Sequence, residues 1–266
     1  MLGAIIGDIV GSRFEWNNIK TKEFELFSRD CSFTDDSVMT IAVGKALMAS
    51  GGDYGNLGGE AVKAMRELGQ AYPNSGYGGM FKRWLFSPDP KPYGSYGNGA
   101  AMRVSACGLA AKGLDEAKLL SRLVTEVTHD HPEGIKGAEA TAVSVFLARE
   151  GWDKKAIERH VMENYYPLGF TLDSIRSAYT FRVSCQGSVP QALVAFFESL
   201  GFEDAIRGAI AIGGDSDTLA AIAGGVAGAY YGIPGDLAQR ARGFLDARLA
   251  KIVDDFALAF PAGKRA

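Results

Sequence analysis

Two acidic segments of the sequence combine carboxylates and hydroxyls in a pattern that could bind cations. Thr34-Asp35-Asp36-Ser37 and Gly213-Gly214-Asp215-Ser216-Asp217-Thr218 each stand directly before an apolar run with helical character. A single carboxylate or hydroxyl at each helix start would be ordinary N-capping. Four carboxylates that converge would repel one another unless cations lay between them, and all-oxygen ligands favour Mg²⁺ or Mn²⁺. The spacing leaves both interpretations open, helix capping and a site for two divalent ions.

A glutamate near the N-terminus is a candidate for proton transfer. Glu15 lies between Phe14 and Trp16, and this partly apolar setting could raise the pKa of its carboxyl group. The residue could be a general acid or a metal ligand, and a solvated loop glutamate is the alternative.

A glycine-rich segment and a histidine pair are candidates for ligand binding. Gly94-Ser95-Tyr96-Gly97-Asn98-Gly99 offers exposed backbone N–H groups, a hydroxyl, an amide and a stacking ring, which suit a phosphate–ribose ligand. It lacks the lysine of a P-loop, and an ordinary turn is the alternative. His129 and His131 could bind zinc, but no third soft ligand is near, so hydrogen bonding to a ligand or to the backbone is favoured.

Composition narrows the class of protein. The 266 residues, 47% hydrophobic and 22% charged, exclude a disordered, coiled-coil or collagen-like chain. A net charge of −3 argues against strong binding to nucleic acid or to anionic membranes. The three cysteines, Cys31, Cys107 and Cys185, are far apart and form no CxxC pair, which favours a reducing compartment. We therefore expect a cytoplasmic protein without a signal peptide or a membrane span.

Helices are the elements predicted to position these side chains. Apolar residues recur at helical spacing in residues 115–127, 134–149, 153–164, 190–200 and 236–260. At the start of the fourth segment, Ser188 followed by Pro190 resembles an N-cap with a first-turn proline. Residues 69–99 are rich in glycine, proline and tyrosine, which predicts a long functional loop. No linker or repeat is evident, so we expect one domain over residues 1–266.

Glycines recur every four residues near both ends of the chain. Gly3, Gly7 and Gly11 form one series, and Gly224, Gly228 and Gly232 form another. Each series would present a bare backbone stripe on a helix, and two such stripes could let the helices approach closely. A buried strand followed by a turn is the alternative for residues 3–11.

Five segments, taken in order, resemble the ADP-ribosylglycohydrolase family. This family includes the dinitrogenase reductase-activating glycohydrolase and the ADP-ribosylarginine and ADP-ribosylserine hydrolases. The matching segments span nearly the whole chain and are residues 3–11 with Glu15, residues 33–37, residues 95–103, Thr128-His129 and residues 213–221. Ser37 and Ser216 stand where threonine is common in the family, but neither change removes a carboxylate.

The resemblance implies an all-α, orthogonally packed domain with a binuclear Mg²⁺ centre, in which Mn²⁺ could replace Mg²⁺. It implies that metal ligands come from two sides, namely Thr34, Asp35 and Asp36 from one and Asp215, Asp217 and Thr218 from the other. Glu15 would lie beside the metals at the reactive ribose, and Glu15 or a cluster aspartate such as Asp35 would move the proton. The residues that would hold the diphosphate and ribose are Ser95, Tyr96, Gly97 and Asn98, with Gly94 beside them, and His129 would contact the ligand.

The implied activity is Mg²⁺-dependent hydrolysis of the bond between C1″ of the distal ribose and a modified target, through an oxocarbenium-like transition state. The partner would be an ADP-ribosylated protein or another ADP-ribose adduct. ADP-ribosyl-arginine is slightly favoured over serine, nucleobase or small-molecule linkages by how common each is in the family. The alternatives are a catalytically silent ADP-ribose-binding or crystallin-like structural protein, and a metal-dependent phosphoesterase, for which no lysine or arginine clamp is apparent.

Overall fold

The computed structural model describes residues 1–261, and the regular elements of this range are all helices. The predicted all-α class is confirmed. The fourteen α-helices of the described range are α1 Leu2–Gly11, α2 Asp35–Ala49, α3 Leu57–Ala71, α4 Gly79–Phe86, α5 Ser105–Ala110, α6 Leu114–Thr125, α7 Pro132–Arg149, α8 Lys154–Asn164, α9 Leu172–Arg176, α10 Cys185–Glu198, α11 Phe202–Ile210, α12 Ser216–Tyr231, α13 Gly235–Arg242 and α14 Ala247–Ala259.

Helices α1 and α12 pack antiparallel at the centre of the fold with almost no space between their backbones. A Cβ atom built on Gly3 would lie 2.3 Å from the Gly224 carbonyl oxygen, and one built on Gly7 would lie 2.0 Å from the Ala220 carbonyl oxygen. The predicted close approach of two glycine stripes is confirmed, and the strand alternative for residues 3–11 is wrong. Gly232 lies outside the stripe and ends α12 with a φ of +80°.

The remaining helices surround this pair and bury one continuous hydrophobic core. Helix α12 also packs against α7, α10 and α11, while α2 packs against α3 and α14. Because α1 and α12 run antiparallel, the C-terminal end of α1 lies beside the N-terminal end of α12. This end of the central pair carries the acidic segments.

Two predicted helices have different bounds in the structure. Helix α10 begins at Cys185, so Pro190 lies inside it and removes one backbone hydrogen bond, and the predicted N-cap at Ser188 is wrong. Residues 236–260 form two helices, α13 and α14. Asp246 starts the second by accepting hydrogen bonds from the backbone N–H groups of Arg248 and Leu249.

The predicted loop over residues 69–99 contains a helix. Helix α4 buries Phe81, Trp84 and Leu85 against the core, because the apolar residues of GMFKRWLF are spaced for one helical face. The loop interpretation holds only for residues 72–78 and 87–97, because residues 69–71 belong to α3 and residues 98–99 to a short 3₁₀ helix.

Within residues 1–261, no helix combines the length and the apolar character needed to cross a membrane.

Candidate metal centre and active site

The start of α2 is organised by a carboxylate from another helix. Asp8 of α1 is fully buried and accepts hydrogen bonds from the Thr34 N–H (2.9 Å), the Thr34 hydroxyl (2.6 Å) and the Ser37 N–H (3.0 Å). Thr34 is the N-cap, and its hydroxyl oxygen accepts from the Asp36 N–H. Free N–H groups at the helix start are therefore satisfied without the carboxylates of Asp35 and Asp36.

The start of α12 follows two glycines that turn the chain sharply. Gly213 and Gly214 adopt φ values of +69° and +81°, which favour glycine. Asp215 occupies the N-cap position, and the Asn98 side-chain amide donates to its carboxylate at 2.7 Å. This bond fixes the orientation of the Asp215 carboxylate.

The two helix starts converge, as the metal interpretation requires. Oxygen atoms of Asp8, Asp36 and Asp217 all lie within 4.8 Å of one another, and so do oxygen atoms of Glu15, Asp215 and Asp217. The Thr218 hydroxyl donates to Asp36 across the gap at 3.3 Å. Neither carboxylate group includes Asp35, although Asp35 lines the cavity beside them.

The electrostatics of the cluster reflect crowded negative charge. Burial, followed by repulsion from neighbouring carboxylates, raises the pKa of Asp35, Asp36 and Asp217 well above the ordinary aspartate value. Burial, with added repulsion from Asp215 and Asp8, raises the pKa of Glu15 to about 7, while a hydrogen bond with the Trp16 side chain opposes the shift. Without cations, the protein alone therefore disfavours full ionisation of the cluster.

The donor set fits a hard divalent cation. The Oδ1 atom of Asp36 is buried and makes no hydrogen bond in the described range, although such an atom normally has a partner. Carboxylate and hydroxyl oxygens are the ligands that Mg²⁺ and Mn²⁺ prefer. The residues placed to hold one or more such ions are Asp8, Glu15, Asp36, Asp215, Asp217 and Thr218.

A cavity of about 650 Å³ opens above the cluster and is large enough for a nucleotide-sized ligand. Ser95, Gly97, Asn98 and His129 line it together with the carboxylates. Gly94 and Tyr96 belong to the same loop but are not part of the cavity wall. Half of the Tyr96 side chain is exposed, and its ring packs against His131, with ring centroids 5.0 Å apart.

Several residues of the site were not predicted from the sequence. Asp8 lies within one of the family motifs without an assigned role there, although a carboxylate inside the apolar segment GAIIGDIVG is a signal of a buried functional group. Arg103, also fully buried, lines the cavity without any carboxylate in ion-pair distance in the described chain. Trp16 and Phe181 stack at the mouth, with ring centroids 5.1 Å apart, and their pairing across 165 positions leaves no local pattern.

Fold and site together define an all-α protein whose ligand-sized cavity ends in an acidic centre suited to divalent cations. The model of the family "ADP-ribosylglycohydrolase" matches residues 1–265. The chain is 27% identical to human ADP-ribosylhydrolase ARH3, with 88% of this chain and 84% of that protein covered. It is 25% identical to ADP-ribosylarginine hydrolase Tri1 of Pseudomonas putida, with 88% and 70% covered.

A solved structure shares the fold. It is described as an ADP-ribosylglycohydrolase-related protein complex and aligns with a TM-score of 0.68 at 25% identity, over 97% of this chain and 95% of that one. The chain belongs to the ADP-ribosylglycohydrolase family, as its motifs predict, and is a hydrolase of that class.

Proposed function

We propose that this protein is a Mg²⁺-dependent hydrolase that releases ADP-ribose from a modified target by cleaving the bond at C1″ of the distal ribose. The observation that carries the proposal is the convergence of the carboxylates of α1, α2 and α12 at the end of a cavity whose wall includes Ser95, Gly97 and Asn98. The names of the relatives ARH3 and Tri1 support the same reaction.

The proposed role of each carboxylate follows from its position in the site. Two divalent ions, with Mg²⁺ favoured over Mn²⁺, would orient the ribose hydroxyls and lower the pKa of a bound water. Asp36, Asp215, Asp217 and Thr218 would hold them, with Asp8 completing the set that the sequence did not assign.

Glu15 is the favoured residue for proton transfer. Its carboxylate lines the cavity within 4.8 Å of Asp215 and Asp217, where it can reach a ligand, and in the absence of cations burial and its neighbours raise its pKa to about 7. Asp35 lies at the cavity wall without belonging to either carboxylate group, so it serves in this proposal as a ligand-facing carboxylate beside the metals.

The mouth of the cavity favours an arginine linkage. Trp16 directly follows Glu15, is 77% exposed and stacks on Phe181, so an aromatic surface borders the carboxylates where the leaving group would depart. A planar guanidinium stacks on aromatic faces and is attracted to carboxylates, whereas a serine side chain offers neither contact. We therefore keep ADP-ribosyl-arginine as the first candidate substrate.

The test is release of free ADP-ribose from matched arginine-, serine- and nucleobase-linked substrates, with Mg²⁺, with Mn²⁺ and with a chelator. Metal-dependent release, fastest from the arginine linkage, is the expected result. Release from the serine-linked substrate alone would support the proposed reaction and refute the preference for the arginine linkage. Binding of ADP-ribose without any release would instead support the alternative, a catalytically silent binding or structural protein.

A further inference from the structure

A buried chain of hydrogen bonds runs from Arg103 to the imidazole of His129 beneath the cavity. The Arg103 guanidinium donates to the Thr128 hydroxyl at 2.7 Å, and that hydroxyl lies 2.8 Å from His129 Nδ1. Arg103 is 1% exposed, Thr128 is fully buried, and His129 is 5% exposed. The hydrogen bonds of this chain are therefore largely shielded from water.

Arg103 is costly to bury, and its neighbours within the described residues do not neutralise it. Its hydrogen bonds go only to Thr128 and to the Val124 carbonyl oxygen, its Nε atom has no partner, and no carboxylate forms an ion pair with it. The centroid of the Phe81 ring lies 5.8 Å from the Arg103 Cζ atom. Because an unpaired buried guanidinium is expensive, a role in the adjacent site explains its presence better than stability does.

The guanidinium sets the direction of the Thr128 proton. Since the Thr128 oxygen accepts from a cation, its own O–H becomes a stronger donor. Two acceptors are in reach, His129 Nδ1 at 2.8 Å and the Thr125 carbonyl oxygen at 3.3 Å. The shorter bond to Nδ1 is favoured, and an unprotonated Nδ1 also turns the negative end of the imidazole dipole toward Arg103.

The other ring nitrogen faces the ligand loop. A Cβ atom built on Gly97 or on Gly99 would lie 3.5 Å from His129 Nε2. No protein atom of the described range hydrogen-bonds Nε2, and His129 lines the cavity. A proton on Nε2 is therefore available to an acceptor on the ligand.

We propose that Arg103 is a positioning residue which, through Thr128, locks His129 as the neutral tautomer protonated on Nε2, so that His129 donates one hydrogen bond to a ligand oxygen in the cavity. The tautomer is independent of the substrate, whereas the identity of the ligand as ADP-ribose rests on the proposed function. Burial and the nearby guanidinium also keep the pKa of His129 well below its usual range, which agrees with a neutral ring.

The first test reads the tautomer directly. The chain has three histidines, so two-bond ¹H–¹⁵N spectra of protein labelled at histidine resolve each ring, and His131→Asn and His160→Gln identify the other two. We expect His129 to show a protonated Nε2 and an unprotonated Nδ1 at neutral pH. A proton on Nδ1, or rapid exchange between the two nitrogens, would overturn the proposal.

The second test asks whether the His129 tautomer depends on the hydrogen bonds that link it to Arg103 through Thr128. Thr128→Val removes the hydroxyl and should give a mixed tautomer, with the Kd for ADP-ribose in Mg²⁺ rising about twofold for an equal mixture, because only rings protonated on Nε2 can donate to the ligand. Thr128→Ser should restore both the spectrum and the Kd. Thr125→Val is the matched control, because Thr125 is also buried near the end of α6 and its hydroxyl has no hydrogen-bond partner in the described range.

Each result separates this proposal from the proposed function. An unchanged tautomer in Thr128→Val, or an equal rise in Kd in Thr125→Val, would refute the positioning role. If Thr128→Val does not fold, the tautomer of the unmodified protein and of Thr128→Ser still decides. If ADP-ribose does not bind at all while His129 carries its proton on Nε2, the proposed ligand is wrong, but the proposed positioning of His129 by Arg103 and Thr128 is retained.

Discussion

Asp8 shows how a single buried carboxylate can prepare a cation site on another helix. By accepting the hydrogen bonds of Thr34 and Ser37, it satisfies the start of α2. The carboxylate oxygens of an aspartate that caps its own helix accept hydrogen bonds from backbone N–H groups, whereas one oxygen of Asp36 has no such partner. The capping and metal interpretations, which the sequence left open, are thus compatible, because Asp8 and Thr34 accept the N–H groups at the start of α2 and leave an oxygen of Asp36 without a backbone partner.

Asp36 provides the sharpest test of the carboxylate cluster. Asp36→Asn removes one negative charge from a repelling group, so we expect the metal-free protein to melt a few degrees higher. The same change should reduce ADP-ribose release by about 100-fold or more and abolish the rise in melting temperature on adding Mg²⁺. Thermal melts and release assays measure these effects. Asp30→Asn, at an exposed site, is the control and should change neither; an active Asp36→Asn protein would refute the assignment.

The aromatic pair at the mouth should affect the leaving group and not the ADP-ribose. Phe181→Ala and Trp16→Ala are expected to raise KM for an arginine-linked substrate by about 3- to 30-fold, the range of a cation–π contact. The Kd for free ADP-ribose should not change, because the product lacks the arginine. Trp152→Ala alters an exposed tryptophan that does not line the cavity and serves as control. An equal rise in KM for the substrate and in Kd for free ADP-ribose would mean that Trp16 and Phe181 contact the ADP-ribose itself.

The sequence predicts those site residues whose signal is local. Asp35-Asp36 and Asp215 to Thr218 are recognisable because carboxylates, hydroxyls and a helix start occur together in a few residues. The unpaired burial of Arg103 is a property of packing between α6 and the cavity, so its sequence neighbours do not reveal it. Tyr96 and Gly94 show the converse, since a loop of suitable composition does not direct every residue into the cavity.

At the scale of elements, the contact between α1 and α12 controls the geometry of the site. Both acidic helix starts depend on this contact, because Gly11 meets Asp217 and Asp8 reaches α2 from the same helix. The spacing of the glycines predicted the contact, since a four-residue repeat of missing side chains is a helical signal. The break between α13 and α14 was not predicted, because the apolar period continues across it, although Gly243 at the end of α13 and the cap at Asp246 both mark it.

Gly7→Ala should separate these two helices. The added Cβ would stand 2.0 Å from the Ala220 carbonyl oxygen, and backbone atoms cannot move aside as a flexible side chain can. We expect a loss of about 3 kcal/mol or more in the free energy of unfolding, beyond the usual cost of overpacking. Chemical denaturation measures it. Gly235→Ala, in the first turn of α13 with open space around it, is the control and should be nearly neutral, whereas a stable Gly7→Ala protein would contradict the close contact.

At the scale of the whole molecule, the raised pKa values make stability depend on pH and on cations together. The aspartates of the cluster have an ordinary pKa of 3.8 and a higher one in the folded protein. Their protonated forms therefore favour folding below about pH 4, and this contribution is lost as the pH rises through the folded values. Glu15 adds to the loss near pH 7, where its own folded pKa lies. Above that pH, Glu15 is ionised and adds its charge to the repulsion within the metal-free cluster.

Mg²⁺ should offset the stability that the metal-free protein loses as the pH rises, because the ion binds the ionised carboxylates and competes with their protons. We expect the rise in melting temperature on adding Mg²⁺ to be small near pH 5 and to reach roughly 5–10 °C near pH 8 at a hundredfold excess over Kd. Because one hydrophobic core joins the helices, we also propose that the chain unfolds in a single transition with and without the ion. Melts in Mg²⁺ and in chelator across this pH range measure both quantities. A Mg²⁺ effect that does not change with pH would mean that the ion binds elsewhere, since only ligands that exchange protons for metal link the two.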